Sequence, residues 1–332
     1  MRPAAGAREV VALLGPTASG KSALGIALAQ RFDGEIVACD STAVYRGFDI
    51  GTDKVPAVDQ GGIPHHCVDL VEPEVDYTAA DYARDAMAAI EAIHARGRLP
   101  ILVGGTGFYY RALSRGLFPG PGRDDRVRGR LDALAERRGP ERLHRLLGLI
   151  DPPSAARILP RDQMRIVRAL EVYFQSGRTL TAHFADTRAP LSGWTIVAIG
   201  VRPAWEEIVA RITRRVEAQF ARGIEDETRA LLARGVPPHA RPFTGYVYRH
   251  VLEVVRGERD RASARDRIVI ENRHYARRQL IWFRKEPNLV WIDRAGEHDD
   301  TRVEAGRLIA DRFPATCDRR PPGEHPTHAT DS

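Results

Sequence analysis

Residues 15–22 read Gly15-Pro16-Thr17-Ala18-Ser19-Gly20-Lys21-Ser22 (GPTASGKS) and match the phosphate-binding pattern G-x-x-x-x-G-K-[S/T] at every fixed position. The apolar run Val10 to Leu14 precedes this stretch, and the helix-like SALGIALAQRF follows it. Strand, glycine-rich turn and helix in that order aim backbone N–H groups and a helix N-terminus at an anion. In such a loop Lys21 reaches the outer phosphates and the Ser22 hydroxyl ligates magnesium. Only Lys21, Lys54 and Lys285 among the 50 basic residues are lysines. A lysine retained where a compact point charge is wanted strengthens the reading, because elsewhere the chain uses arginine.

Working outward, helix-like residues 21–32 lead to the short apolar strand Glu35-Ile-Val-Ala-Cys39, which ends at Asp40. Asp40 and Ser41 thus lie just past a strand's carboxyl end, the rim where open parallel sheets bind ligands. The same aspartate would serve equally well as a turn or helix cap. The segment DYARDAMAAIEAIHARG predicts a helix, with Tyr82, Ala86, Ala89, Ile90 and Ile93 at helical spacing and Gly97 as its stop. Pro100 to Val103 is another buried-type strand, running into Gly104-Gly105-Thr106-Gly107 and a helix from Phe108. That second strand–glycine turn–helix unit predicts a second ligand-facing turn on the same rim.

Gly and Pro crowd LFPGPGRDD (117–125), which reads as a boundary. From about 126 to 183 the periodicity is helical and rich in arginine, and Gly193 to Gly200 returns to strand character. The expected architecture is α/β: a phosphate-loop (P-loop NTPase-like) parallel-sheet core, residues 8–120 with 191–314, carrying a helical insertion domain at 121–190. Amphipathic helices follow in 205–223, in GYVYRHVLEVVRGE and in RDRIVIENRHYARRQLIWFR. On the last of these, Arg273, Arg277 and Arg284 fall on one stripe, which is either a phosphate-gripping face or an ordinary solvated one. The polar, proline-rich residues 315–332 are expected to be disordered.

At 332 residues, with 43% hydrophobic and 28% charged content, the composition is that of a globular protein with a sizeable core. No apolar run approaches a membrane span, and MRPAAGAREV lacks the apolar core of an export signal, so a cytoplasmic protein is expected. Cys39, Cys67 and Cys317 are few, odd in number and widely spaced, which predicts free thiols. Adjacent His65, His66 and Cys67 have no second ligand pair, which argues against a metal there. Net charge is +6, distributed unevenly: residues 1–110 carry 9 basic and 14 acidic residues, 111–190 carry 16 and 9, and 265–285 carry 7 and 2. Positive charge outside the phosphate-loop unit suits an enzyme that grips nucleic acid.

The stretches GPTASGKS, DSTAVYRGFDIGTDK, GIPHHCVDLVEP, LPILVGGTGFYYRAL, RIVRALEVY, RITRRVEAQFARGIEDE, GYVYRHVLEVVRGE and RHYARRQLIWFR, in that order over residues 10–293, resemble the bacterial tRNA dimethylallyltransferases. The resemblance implies transfer of a dimethylallyl group from dimethylallyl diphosphate to the exocyclic amine of the adenine beside the anticodon. It implies that Gly15 to Ser22 hold the diphosphate, with Mg2+ on Ser22, and that Lys21, Asp40 (the general base) and Thr106 (near the leaving oxygen) are catalytic. It further implies tRNA contacts at Asp40, Ser41, Thr42, Ala43, Thr106, Arg128 and 162–167 (Asp162, Gln163, Met164, Arg165, Ile166, Val167), joined by Arg273 and Arg277 from the basic stripe. The partners would be tRNA, through its anticodon stem-loop, and dimethylallyl diphosphate, with the protein a monomer. The family often reads DSxQVY, glutamine near RIVRAL, and GY-K/R-E/Q; here Ala43, Met164 and Gly245-Tyr246-Val247-Tyr248 stand instead. A small-molecule kinase with a phosphate loop is the competing reading, but it leaves the long arginine-rich insertion unexplained. A non-catalytic nucleic-acid binder would leave GPTASGKS and GGTG idle.

Overall fold

The computed structural model describes residues 7–118 and 120–313. The expected disordered tail from 315, with Cys317, lies outside the described residues, as does most of the N-terminal stretch read for an export signal. The chain divides into two compact units, one formed by the segments up to Tyr110 and from Gly193 onward, the other by Arg111–Ser192.

In chain order the first elements are β1 (Glu9–Leu14), α1 (Lys21–Arg31), β2 (Gly34–Cys39), β3 (His65–His66), α2 (Ala79–Ala95), β4 (Leu99–Gly104) and α3 (Gly107–Ser114). Five helices follow: α4 (Asp125–Arg138), α5 (Pro140–Ile150), α6 (Pro152–Arg157), α7 (Gln163–Ser176) and α8 (Leu180–Ala185). The chain then forms β5 (Thr195–Val201), α9 (Trp205–Ala221), α10 (Ile224–Ala233), α11 (Tyr246–Val255), α12 (Arg261–Phe283), β6 (Leu289–Ile292) and α13 (Asp299–Arg312).

Among the described residues, six strands form one parallel sheet in the order β3-β2-β4-β1-β5-β6. Apart from Glu9 and Glu35 near their starts, β1, β2 and β4 are apolar and almost wholly buried, as strands covered on both faces must be. One side of the sheet packs Val11, Leu13, Ile36, Ile101, Val103 and Ile199 against Leu24 and Leu28 of α1 and Ile309 of α13. α2 begins at a reciprocal cap: Thr78 accepts from the Asp81 N–H while the Asp81 carboxylate accepts from the Thr78 N–H. β6 was not anticipated from sequence, being four residues long and half-exposed.

Register decides what the sheet presents. Leu14 pairs with Gly104, Cys39 with Gly104, and Leu14 with Gly200. The loops leaving β1, β2 and β4 therefore emerge side by side at one edge of the sheet. Parallel strands allow this, because all their carboxyl ends lie at the same edge.

The Arg111–Ser192 unit has its own core, in which Leu131 and Ala135 of α4, Leu143 and Leu147 of α5, and Ile166, Val167 and Leu170 of α7 interlock. The buried carboxylate of Glu171 anchors it, accepting from Arg128, Arg168 and the Asp124 N–H. No helix among the described residues is long and apolar enough to cross a membrane.

Candidate active site

The loop after β1 owes its path to glycine. Gly15 has φ +148°, and a Cβ there would meet the Val201 carbonyl oxygen at 2.4 Å, so no side chain fits between β1 and β5. Gly20, at φ +86°, turns the chain into α1, whose first residue is Lys21. Lys21 is buried, and its Nζ donates to the Pro16 carbonyl (2.5 Å) and to Ser19 Oγ (3.3 Å), closing the loop on itself. Burial and the neighbouring Arg215 guanidinium lower its pKa to about 7. Ser22 is exposed on the first turn of α1. Thr17, Ala18, Ser19, Gly20 and Lys21 form one wall of a cavity of about 410 Å3; Arg211, Arg214 and Arg215 of α9, with Asp53 and Glu297, form the other.

Sequence reading missed two side chains that set this loop. Gln279 of α12, only 6% exposed, accepts from the Thr17 N–H (2.7 Å) and donates to the Gly105 carbonyl (2.9 Å). It thereby links the phosphate loop to the glycine turn after β4. Arg215 donates to Thr17 Oγ1 (2.5 Å) and pairs with Asp53 (3.3 Å). A signal for Gln279 was present: it is polar, yet it occupies the inward stripe Ile268, Asn272, Ala276, Gln279, Phe283 at spacings of three and four. Arg215 carried none, since α9 is rich in arginine throughout.

Asp40 leaves β2 half-buried. Its Oδ1 accepts from the Thr42 N–H (2.8 Å), the Thr42 hydroxyl (2.6 Å) and the Ala43 N–H (3.3 Å). One oxygen thus holds the turn, as a cap would, and these three bonds leave Oδ2 for other work. The Thr106 N–H donates to the Cys39 carbonyl (3.1 Å), and Thr106 Oγ1 accepts from the Ser41 N–H (3.0 Å). Thr106 therefore locks the end of β4 to the end of β2.

Asp40, Ser41 and Thr42 line a second cleft, of about 240 Å3, whose other walls are Tyr246, Tyr248, Tyr275 and Pro242. Thr17 and Arg215 border both hollows, so the anion cavity and the aromatic cleft share a wall. Tyr248, one of the departures from the family pattern, donates to Glu227 (2.5 Å) and accepts from the Gly51 N–H (2.9 Å), holding the 49–53 loop at the cleft.

The remaining candidates are dispersed. Ala43 is buried, and Ile166 and Val167 lie in the core of the helical unit, so their side chains face inward. Arg128 forms a two-pronged pair with Glu171 (2.9 and 3.2 Å). Asp162 caps α7, Gln163 donates to Asp132 (2.9 Å), Arg165 pairs with Asp162 (3.0 Å), and Met164 is 75% exposed. On α12, Arg277 stacks on Trp205 at 4.7 Å, Arg273 is half-buried, and Arg284 is exposed at the C-cap. Cys39 and Cys67 are free and buried, and burial pushes both thiols up to about 12. His66 pairs with Glu35 (2.6 Å), and no group of three or more His, Cys, Asp or Glu that could hold a metal occurs among the described residues.

Comparison with known proteins is consistent with this arrangement. A family model described as IPP transferase matches residues 43–286. A tRNA dimethylallyltransferase of Solibacter usitatus is 45% identical over 301 residues, covering 91% of this chain and 98% of that protein. One of Thermomicrobium roseum is 43% identical over 306 residues, covering 91% and 92%. The crystal structure of the full-length tRNA isopentenylpyrophosphate transferase of Bacillus halodurans superposes with TM-score 0.69 at 34% identity, covering 93% of this chain and 98% of that one. A eukaryotic dimethylallyltransferase acting on tRNA gives TM-score 0.76 at 27% identity, covering 96% and 82%. With its parallel sheet, its glycine-shaped phosphate loop and relatives matched over nearly their whole length, this chain belongs to the tRNA dimethylallyltransferase family.

Proposed function

We propose that this protein transfers the dimethylallyl group of dimethylallyl diphosphate to the exocyclic amine of the adenine next to the anticodon in tRNA, releasing diphosphate. The observation that carries the reading is the shared wall. An anion cavity lined by Lys21, Arg211, Arg214 and Arg215 abuts an aromatic cleft containing Asp40. A diphosphate in the first would extend its allyl tail into the second, where a base entering from tRNA meets the allylic carbon.

The chemistry follows from these groups. The allylic C–O bond breaks, its electron pair leaves with the diphosphate, and the amine nitrogen forms the new C–N bond. The amine's proton passes to Asp40, whose Oδ1 is fixed by Thr42 and Ala43. Lys21, Arg215 and the loop's backbone N–H groups stabilise the charge gathering on the leaving group. The tyrosines exclude water from a carbon that water would otherwise attack. Thr106 acts here by holding Ser41 and the β2 end in place.

Magnesium fits the donor set in one way. Ser22 offers a single hydroxyl and the described residues offer no carboxylate cluster. That is the pattern of an ion held chiefly by substrate phosphate oxygens and waters, for which it supplies charge neutralisation. Met164 is exposed, and Arg165, though paired with Asp162, is largely exposed, so these two are the best-presented candidates for tRNA contact in the helical unit, with Arg273 and Arg277 on α12; Arg128, Asp162 and Gln163 reach tRNA only by giving up or sharing their internal partners. We place the enzyme in the cytoplasm, with tRNA, working as a monomer. The kinase reading finds no support among the relatives. Incubation with dimethylallyl diphosphate and bulk tRNA, followed by mass analysis of nucleosides, tests the reading. Prenylated adenosine is expected, and unchanged nucleosides would overturn it.

A further inference from the structure

The chemistry of prenyl transfer leaves unused a carboxylate at the edge of the phosphate loop. Glu297 lies in the short link between β6 and α13. The Gly296 N–H donates to the Ser19 carbonyl (2.9 Å), which pins that link against the loop. The carboxylate lies so close to the loop that a Cβ on Gly20 would fall 2.2 Å from its Oε2. Both carboxylate oxygens accept from the same terminal Arg211 nitrogen, at 3.0 and 2.9 Å, and Arg211 Nε donates to Glu207 at 2.8 Å. Glu297 thus lines the anion cavity, yet it carries the charge of the ligand the cavity is built for. It also lies beyond residues 43–286, the span that the family model matches.

A negative group in an anion site opposes the ligand through space and also competes for the same cation. Its oxygens are committed to Arg211, so Glu297 is not offered as a metal ligand. We propose that Glu297 is an internal counter-anion of the diphosphate cavity. It holds Arg211 when no anion is bound, cedes it to the arriving diphosphate and recaptures it as the product leaves. It is therefore a positioning residue, acting through Arg211, that keeps diphosphate affinity low enough for turnover. The inference rests on the reading of this cavity as the diphosphate site.

The test is calorimetric titration of inorganic diphosphate into the full chain and into Glu297→Gln, Glu297→Ser and Glu297→Asp, with and without magnesium. Removing one half-exposed charge from the lining of the anion cavity should tighten binding about three- to tenfold. Both neutral variants should show this, in either magnesium condition. Glu297→Asp keeps the charge and should stay within about twofold of the parent. With the neutral variants, the KM for dimethylallyl diphosphate should fall alongside the inhibition constant of inorganic diphosphate, while tRNA affinity stays fixed. A merely structural residue would not tighten binding when removed. Unchanged or weaker diphosphate binding in both neutral variants overturns the proposal, and weakening confined to magnesium would make Glu297 a metal ligand instead. Failure of the parent protein to bind diphosphate at all would overturn the reading of the cavity itself.

Discussion

Replacing Gln279 with leucine removes two hydrogen bonds while keeping the volume of the side chain close to native. Its two partners are not equivalent. The Gly105 carbonyl is buried beneath α12, so losing its donor leaves an unsatisfied acceptor that costs about 1–3 kcal/mol. The Thr17 N–H borders the anion cavity and can recover a water, so its loss costs about 1 kcal/mol. Together they should lower stability by about 2–4 kcal/mol, read as a fall in urea midpoint at unchanged slope. The functional effect is separate. Without Gln279 the Thr17 end of the loop is no longer fixed to the turn after β4, and inorganic diphosphate should bind about tenfold more weakly, a loss of about 1.4 kcal/mol. Gln279→Glu sharpens the test, because it keeps an acceptor for Thr17 but sets a carboxylate against the Gly105 carbonyl. It should be destabilised as well, and should bind diphosphate worse than Gln279→Leu because its charge opposes the anion. Native diphosphate affinity in Gln279→Leu, measured by calorimetry below the unfolding transition, would refute a positioning role and leave Gln279 as packing alone.

Three further outcomes are expected. Asp40→Asn keeps the oxygen that Thr42 and Ala43 donate to, so the turn should survive while single-turnover prenyl transfer falls by about two to four powers of ten; a near-normal rate would reduce Asp40 to a cap. Burial would raise the Glu171 carboxyl, but hydrogen bonds from Arg128 and Arg168 outweigh it and hold the group below its ordinary 4.5. The stability it contributes should be fully present above that value and lost as pH falls through the depressed folded pKa. Glu171→Gln should therefore cost about 3–5 kcal/mol near neutrality and flatten the acid limb of the pH–stability curve, and an unaltered acid limb would count against this ion pair. The triple variant of Arg273, Arg277 and Arg284 to alanine should bind tRNA with a shallower slope of log K against log salt, by about 0.7–0.9 for each phosphate no longer neutralised, and an identical slope would return the stripe to solvated surface.

What could be read in advance was local. GPTASGKS is legible on its own, since glycines where φ is positive and a lysine at the helix start need no distant partner to be recognised. The strand ends at Cys39 and Gly104 were legible because buried parallel strands are short apolar runs with abrupt polar or glycine ends. Ile166 and Val167, which the family resemblance implies as tRNA contacts, lie instead in the core of the helical unit, because they occupy the inward face of α7. Arg211, Arg215 and Glu297 were not legible, because each acts on a loop about 200 or more residues away and is one charged residue among many. β6 escaped notice because four half-exposed residues at a sheet edge carry too little periodicity to separate from a loop.

Gln279 and the placement of β1 together bear on how the protein is made. A ribosome delivers the phosphate loop long before its brace: the Thr17 amide waits for a partner 262 residues downstream. β1, flanked in the sheet by β4 and β5, waits for strands that begin at Leu99 and Thr195. Until β5 is made the nascent chain therefore displays an apolar strand with an open edge, and until α12 is made a glycine loop lacking its brace. Long-range pairing of this kind folds late and exposes aggregation-prone segments in the interval. The anion pocket is accordingly among the last features of the molecule to form, and a truncated product ending before α12 would carry the whole phosphate signature without the means to hold it in shape.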